Sequence, residues 1–215
     1  MRAHRLWVWV LALALLAPVA LAAELTRAQA LAGLSQADRA ARLAAVDRLG
    51  EIGLMADAQR VLDRLADADL RVRESAAAAA WQIWSRSGEP AIDKLVARGV
   101  EQMQASALGD ALATFDEVVR RMPAFAEGWN KRATIYFLLG ENEKSLRDCD
   151  EVFKRNPNHF GALAGAGQIH LRLGNTRRAL EFFRRAVQVN PNLEGPAQVI
   201  PMLELQLREA DRNRT

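Results

Sequence analysis

Cys149, His159, His170, Glu127 and Lys131 are the side chains of this 215-residue chain whose types and spacing could do chemistry. A cysteine nucleophile needs an electropositive setting that favours the thiolate. Cys149 is flanked instead by Asp148 and Asp150, so it is expected to fill space in a core. As the only cysteine it can form no internal disulfide. His4, His159 and His170 are the only histidines. A metal site drawn from Cys149, His159 and His170 would use adjoining helices, but its spacing matches no zinc-ligand pattern, and neither a metal nor another cofactor is expected. Glu127, Lys131 and His170 could do acid–base work on one surface if their pKa values were strongly shifted, which is the enzyme alternative. Nucleophile elbows, phosphate-cradling glycine loops and paired metal motifs are absent from the sequence, so the expectation is a non-catalytic protein.

The elements that must position these residues follow from apolar spacing. Leu43, Val46 and Leu49, or Leu112, Phe115, Val118 and Val119, recur at three-and-four intervals, which predicts amphipathic helix throughout and no strand. Helix stops are written as Gly140, Gly174, Asn156-Pro157 and Asn190-Pro191. These signals return every 34 residues: Pro123, Pro157 and Pro191; Phe115, Cys149 and Phe183; Ala111, Ser145 and Ala179; Leu95, Trp129 and Leu163; Gly99, Ala133 and Gly167. A repeat of this length marks a solenoid whose units bury their apolar faces only by stacking on one another.

In the middle unit Trp129, Ala133 and Tyr136 share one face of a first helix, Gly140 allows the turn, and Leu146, Cys149 and Val152 line a second helix ending at Pro157. This pattern resembles the tetratricopeptide repeat family, with units at about 92–125, 126–159 and 160–193. The third unit matches through Leu163, Gly167, Gly174, Ala179, Phe183, Ala186 and Pro191, and the first carries Ser106 where the others have the turn glycine. Trp129, Tyr136, Gly140, Cys149, Pro157, Gly174, Phe183 and Pro191 are therefore expected to form the repeat core, and His170, in the Tyr136 column, to pack there too. The resemblance implies a concave groove on the first helices, lined by Val96, Val100, Met103, Glu127, Asn130, Lys131, Thr134, Phe137, Gln168, Leu171 and Arg172. One branch of the family grips the C-terminal carboxylate of heat-shock chaperones. At those positions stand Val96, Val100, Glu127, Lys131, Gly161 and Gly165, so only Lys131 fits and that clamp is not expected. The groove suits an extended or helical peptide, with apolar anchors and with Asn130 and Gln168 on its backbone.

A second repeat precedes the first at a step of 31, pairing Leu31 with Leu62, Leu34 with Leu65, Asp38 with Asp69, Arg42 with Arg73, Ala45 with Ala76 and Ile52 with Ile83. It is similar to the short HEAT-like repeats, in which Asp and Arg tie turns to neighbouring units. The two regions meet at 85–90, too short a stretch for a free linker, which predicts one continuous all-α, right-handed solenoid of antiparallel helix pairs. Past Leu193, Pro196 and Pro201 interrupt the pattern. A capping helix is expected from near Pro201 to about Ala210, packing through Leu203, Leu205 and Leu207.

Arg2, His4 and Arg5 precede the apolar run Leu6–Leu16, then Pro18 and Ala20-Leu21-Ala22, the order of a secretory signal peptide. The organisation expected is thus a leader at 1–22, HEAT-like repeats at 23–90, three tetratricopeptide units at 91–193, and a cap and tail at 194–215. Cleavage after Ala22 would leave 27 Lys and Arg against 26 Asp and Glu, which gives no electrostatic reason for nucleic acid or an anionic membrane as partner. The expected protein is periplasmic or secreted, an adaptor for a protein or peptide of the cell envelope. If the leader is retained, its 18 uncharged residues from Leu6 to Ala23 would make a membrane-anchored accessory subunit.

Overall fold

The computed structural model describes residues 24–213; the expected leader lies outside the described residues. Eleven α-helices, and no strand, occur among them. The N-terminal half contains α1 (Arg27–Gly33), α2 (Arg39–Ile52), the short α3 (Ala58–Leu62) and α4 (Leu70–Ser85), with 3-10 turns at Met55–Asp57 and Asp63–Ala66. Three hairpins follow: α5 (Pro90–Gln104) with α6 (Leu108–Arg121), α7 (Ala126–Leu138) with α8 (Asn142–Arg155), and α9 (Phe160–Arg172) with α10 (Thr176–Val189). α11 (Glu194–Arg212) closes the stack against α10.

The turns inside the three hairpins are one structure repeated. The backbone N–H groups of Ala107, Glu141 and Asn175 donate to the carbonyls of Gln102, Tyr136 and His170 at 2.9, 2.9 and 2.8 Å, closing each first helix with a left-handed residue. That residue is Gly140 (φ 79°), Gly174 (φ 74°) and, in the first unit, Ser106 (φ 58°). Two helices of a hairpin approach where a small residue faces a large one. A Cβ on Gly167 would lie 2.6 Å from the Phe183 ring, and Gly99 faces Phe115 in the same way. The middle unit solves the same space with Ala133 against Cys149, both buried.

Arg132 of α7 links three helices. Its guanidinium donates to both oxygens of Asp148 on α8, at 2.7 and 2.8 Å, and to Asp116 on α6 at 2.8 Å. It also lies over the rings of Trp129 and Tyr136. Trp129, expected in the core, is only half-buried: its Nε1–H donates to the Pro123 carbonyl at 2.9 Å and Arg155 covers its other side. The indole has an N–H to satisfy and two guanidiniums to stack on, so it brackets the α6–α7 turn instead of entering the interior.

The 31-residue repeat is explicit in hydrogen bonds. Asp38 and Asp69 cap α2 and α4, accepting from the backbone of Ala41 and of Arg71 and Val72. Arg42 donates to the carbonyls of Gln36 and Ala37, and Arg73 to those of Asp67 and Ala68, one step later. Each arginine then reaches out of its own unit. Arg42 grips Asp67 at 2.8 and 2.9 Å, whereas Arg73, with no third repeat ahead of it, donates to Asn192 in the turn after α10, at 3.0 Å.

That contact reveals a departure from the expected end-to-end solenoid. α4 lies against α7 and the start of α9 instead of extending the stack along α5. Asn192 donates to the Leu65 carbonyl, Asn158 to Gln59, and Val189 and Leu193 pack on the N-terminal core with Phe160. The N-terminal half therefore sits across the connections that follow the second and third hairpins, at 156–159 and 190–193. Gly88 (φ 82°) bends the short connection between α4 and α5, which Pro90 opens.

The cap also differs from expectation. α11 starts at Glu194, 34 residues after Phe160, so it opens where the first helix of another unit would, and it carries Pro201 inside. Leu203 packs on Ala179, Leu180 and Phe183 with Leu207 beside it, while Leu205 is exposed, because residues two apart on a helix face different directions.

Candidate functional site

Two adjoining features of the α7–α9 face carry the unusual chemistry: an open hollow and a buried polar cluster at its end. The hollow, about 130 Å³, is walled by Asn130, Ala133, Thr134 and Phe137 of α7 and by Gly161, Ala162, Gly165, Gln168 and Ile169 of α9, with Ser145 and Cys149 of α8 beneath. Thr134 and Gln168 are exposed on its rim. A Cβ on Gly165 would meet nothing within 4 Å, so the backbone of α9 is bare to the hollow there. Arg172 lies 3.7 Å from the centroid of the Phe137 ring, a wall of the hollow, and donates to the Phe137 carbonyl.

At the near end Glu127 and His159 are fully buried. His159 Nδ1 accepts from the Ala162 backbone N–H at 3.1 Å and caps α9, which places the ring proton on Nε2, 3.0 Å from Glu127 Oε2. Asn130 donates to the same oxygen at 3.0 Å, and Lys131 Nζ lies 3.1 Å from Oε1 as an ion pair outside hydrogen-bonding alignment. Burial would raise the Glu127 pKa, but the hydrogen bond from His159 and the Lys131 ammonium outweigh it and hold the carboxyl below its ordinary range. Two tryptophans from α4 roof this cluster. Trp84 stacks on the imidazole (centroids 4.5 Å, 26°) and Trp81 meets it edge-on at 5.1 Å. Trp81 also presses on Gly161, where any Cβ would collide with its ring, and takes Lys131 over its face at 5.8 Å.

The residues expected to line a groove divide accordingly. Thr134, Phe137, Gln168 and Arg172 stand around the hollow, with Leu171 turned toward the α10–α11 packing. Val96 is buried and Val100 and Met103 pack with it on the α5–α6 core, because their faces of α5 meet Phe115 and its neighbours. Glu127 and Asn130 are committed to the buried cluster, so Asn130 is not free to hold a peptide backbone through its amide N–H. Cys149 is buried, and burial, then the neighbouring Asp148 and Asp150 charges, push its thiol up to about 12. His170 stacks on Phe182 at 5.3 Å, and burial with the nearby Arg178 lowers its pKa. Glu127, Lys131 and His170 are not assembled: the first two belong to the seam under α4, the third to the α9–α10 contact.

Sequence reasoning missed Trp81, Trp84 and His159 as a unit. The available signal was two indoles at i and i+3 in an otherwise alanine-rich helix, a stripe that commits one face of α4 to a partner. Among the described residues no group of three or more His, Cys, Asp or Glu could hold a metal, and no helix is long and apolar enough to cross a membrane.

Comparison with known proteins bears on the same region. The tetratricopeptide repeat family models match residues 126–159 and 160–193. A tetratricopeptide repeat-containing protein of Rhizobium etli is 33% identical over 108 residues, covering 50% of this chain and 53% of its own. The chain spans about half or less of the curated relatives it matches. Among solved structures, the Sgt2 tetratricopeptide domain of Aspergillus fumigatus superposes with a TM-score of 0.53 at 20% identity, covering 58% of this chain and 83% of that domain. The first tetratricopeptide domain of Spaghetti, bound to an HSP90 peptide, gives 0.52 at 17% identity over 54% of this chain and 93% of that one.

Proposed function

We propose, for a chain that is a tetratricopeptide repeat protein over residues 126–193, that it is a non-catalytic adaptor whose α7–α9 hollow receives one side chain of an extended peptide segment. The observation that carries this reading is the hollow itself: an apolar floor, a bare glycine backbone at Gly165 and two exposed hydrogen-bonding side chains, Thr134 and Gln168, on opposite rims. An apolar anchor would enter between the helices while Gln168 bonds its backbone and Thr134, whose hydroxyl donates to the Asn130 carbonyl at 2.9 Å, accepts from it, the division of labour that gives peptide grooves affinity and register. The tetratricopeptide relatives and the peptide-bound neighbour support an interaction role.

The leader pattern at Arg2–Ala22 supports export, and with it a partner in the periplasm or outside the cell. Mature N-terminal sequencing beginning just past Ala22 is expected; a start at Met1 in membrane fractions would favour the anchored accessory subunit. A photo-crosslinking residue at Gln168 in the exported chain is expected to capture a discrete partner that Phe137→Ala with Thr134→Ala loses, the melting temperature staying within a few degrees. Capture unaffected by that pair would remove the hollow from the binding surface.

A further inference from the structure

Where the N-terminal half crosses the hairpins it leaves a cleft of about 630 Å³, larger than the α7–α9 hollow and sharing no lining residue with it. One wall comes from α3 and the 3-10 turn after it, the other from α10, and Pro157 and Asn158 of the α8–α9 connection complete it. Leu62, Leu163 and Val189 supply its apolar lining.

Each wall carries one charge that the fold leaves unpaired. Asp63, exposed on the 3-10 turn, accepts from the Gln59 amide at 2.9 Å through Oδ1, and among the described residues it has no cation within ion-pairing distance and no partner for Oδ2. Gln59 accepts in turn from the Asn158 amide at 2.9 Å, so the carboxylate is positioned from both sides of the seam. On the other wall Arg185 lies over the Phe182 and Phe153 rings at 5.2 and 5.4 Å, yet it gives no N–H to any acceptor and pairs with no carboxylate among the described residues. Arg185 is half-buried, but each of its nitrogens reaches solvent. A guanidinium held flat on aromatic rings with its donor edge free is preorganised for a carboxylate. Gln188, one turn further along α10, is exposed with its amide unbonded.

We infer that this cleft binds a small zwitterion with an aliphatic body, of the kind a short free-ended peptide presents. Its ammonium is received by Asp63, its carboxylate by Arg185, and its side chain by Leu62, Leu163 and Val189, with Gln188 bonding the backbone. The volume lies within the range of ligand pockets. Because the two charges stand on different halves of the fold, an occupant ties those halves together.

Titration calorimetry of the full chain with the tripeptide Ala-Leu-Ala tests this directly. Saturable binding is expected, together with a melting temperature that rises with peptide concentration. N-acetylation and C-amidation of the peptide should each weaken binding by about tenfold, the equivalent of one charge-assisted bond. Asp63→Asn should weaken binding of the free peptide by a similar factor while leaving the acetylated one unchanged, and Arg185→Gln should do the same with the amidated one, since each end then has no partner left to lose. L-leucine carries the same two charges closer together: a weaker response to it than to the tripeptide assigns the source to a peptide, a tighter one to a free amino acid. Ala66→Phe, at an exposed lining position, should block entry in a folded protein. No saturable binding of either compound, equal binding of the free peptide and its doubly blocked form, or an unchanged response in Ala66→Phe would overturn the assignment.

Discussion

The two halves of the molecule solve the same problem, stacking short helices, by different physics. In residues 27–85 the joints are charged: Arg27 on Asp57, Arg42 on Asp67, and Arg73 on Asn192, with Asp38 and Asp69 capping α2 and α4, which carry Arg42 and Arg73. In residues 90–193 the joints are mostly steric: a left-handed turn residue, a small residue facing a large ring, and an Asn-Pro stop. Directional bonds let the first half attach to something unlike itself. Arg73 donates to the Asn192 side-chain carbonyl where Arg42 donates to an aspartate of the next repeat, so the half attaches to the connection after the third hairpin instead of to a further repeat. Shape-matched joints admit only another copy of the same unit, and α11, opening 34 residues after α9, continues that series.

Trp84→Ala breaks the comparison most severely, since Trp84 belongs to the core of one half and roofs the buried cluster of the other. Truncating a buried aromatic of this size is expected to cost about 3–5 kcal/mol. Denaturant unfolding should show whether the halves fold as one: a single shifted transition means one cooperative unit, whereas two separated transitions would mean the seam, not the joints, holds the halves together.

Asp67→Asn tests the charged joints. The Arg42 hydrogen bonds, together with the Asp69 backbone N–H, hold the Asp67 carboxyl below its ordinary range against the burial that opposes them, and the Arg27 bond does the same for Asp57. A carboxyl with a depressed folded pKa contributes stability that is present above its unfolded value and is lost as pH falls through the folded one. Urea unfolding of the wild type is therefore expected to weaken steadily below about pH 4, near the unfolded carboxyl value. Asp67→Asn should cost about 1.5–3 kcal/mol at neutral pH, as bonds to a charged group are lost, and flatten that acid limb. An acid limb of unchanged slope would mean the joint acts through shape as well.

The steric joints predict a compensating pair. Cys149→Phe installs the ring of the neighbouring units but meets the Ala133 methyl that they lack, and overpacking of this kind costs about 1–3 kcal/mol. Adding Ala133→Gly should recover most of the loss, because Gly99–Phe115 and Gly167–Phe183 show that the glycine–phenylalanine combination fits. A double-mutant cycle without positive coupling would show that the middle hairpin packs by different rules.

What could be read from the sequence follows the same division. The 34-residue columns and the Asp-Arg register are local regularities, and the hairpins and capped helices appear where the spacing placed them. Contacts made across long sequence separations leave no periodic trace. The sequence offers His159 only as a member of a metal site that its spacing does not fit, because nothing near it announces Trp84 or Glu127, and it places Trp129 in the core because its column is otherwise Leu95 and Leu163. Pro201 misled in the other direction. A proline forbids one backbone hydrogen bond, and the side-chain packing of Leu203 on α10 outweighs that loss, so α11 continues through it.

Ser106 allows the smallest and cleanest test of the hairpin rules. Its left-handed φ of 58° matches Gly140 and Gly174, and its turn is closed by the same bond to the carbonyl five residues back, although it lacks the bonds that Asn142 and Thr176 donate to the Gly140 and Gly174 carbonyls. An L-residue in this region costs about 1–2 kcal/mol, whereas glycine adopts it freely but gives up about 0.5–1 kcal/mol more entropy on folding. Ser106→Gly should thus stabilise the chain by about 0.5–1 kcal/mol, and Gly140→Ser should destabilise it by a similar amount. Neither side chain position contacts the seam, so both changes should shift the melting temperature without altering the acid limb governed by Asp57 and Asp67. A Ser106→Gly variant no more stable than the wild type would mean the serine side chain compensates its own backbone, and that the first hairpin does not obey the turn rule of the other two.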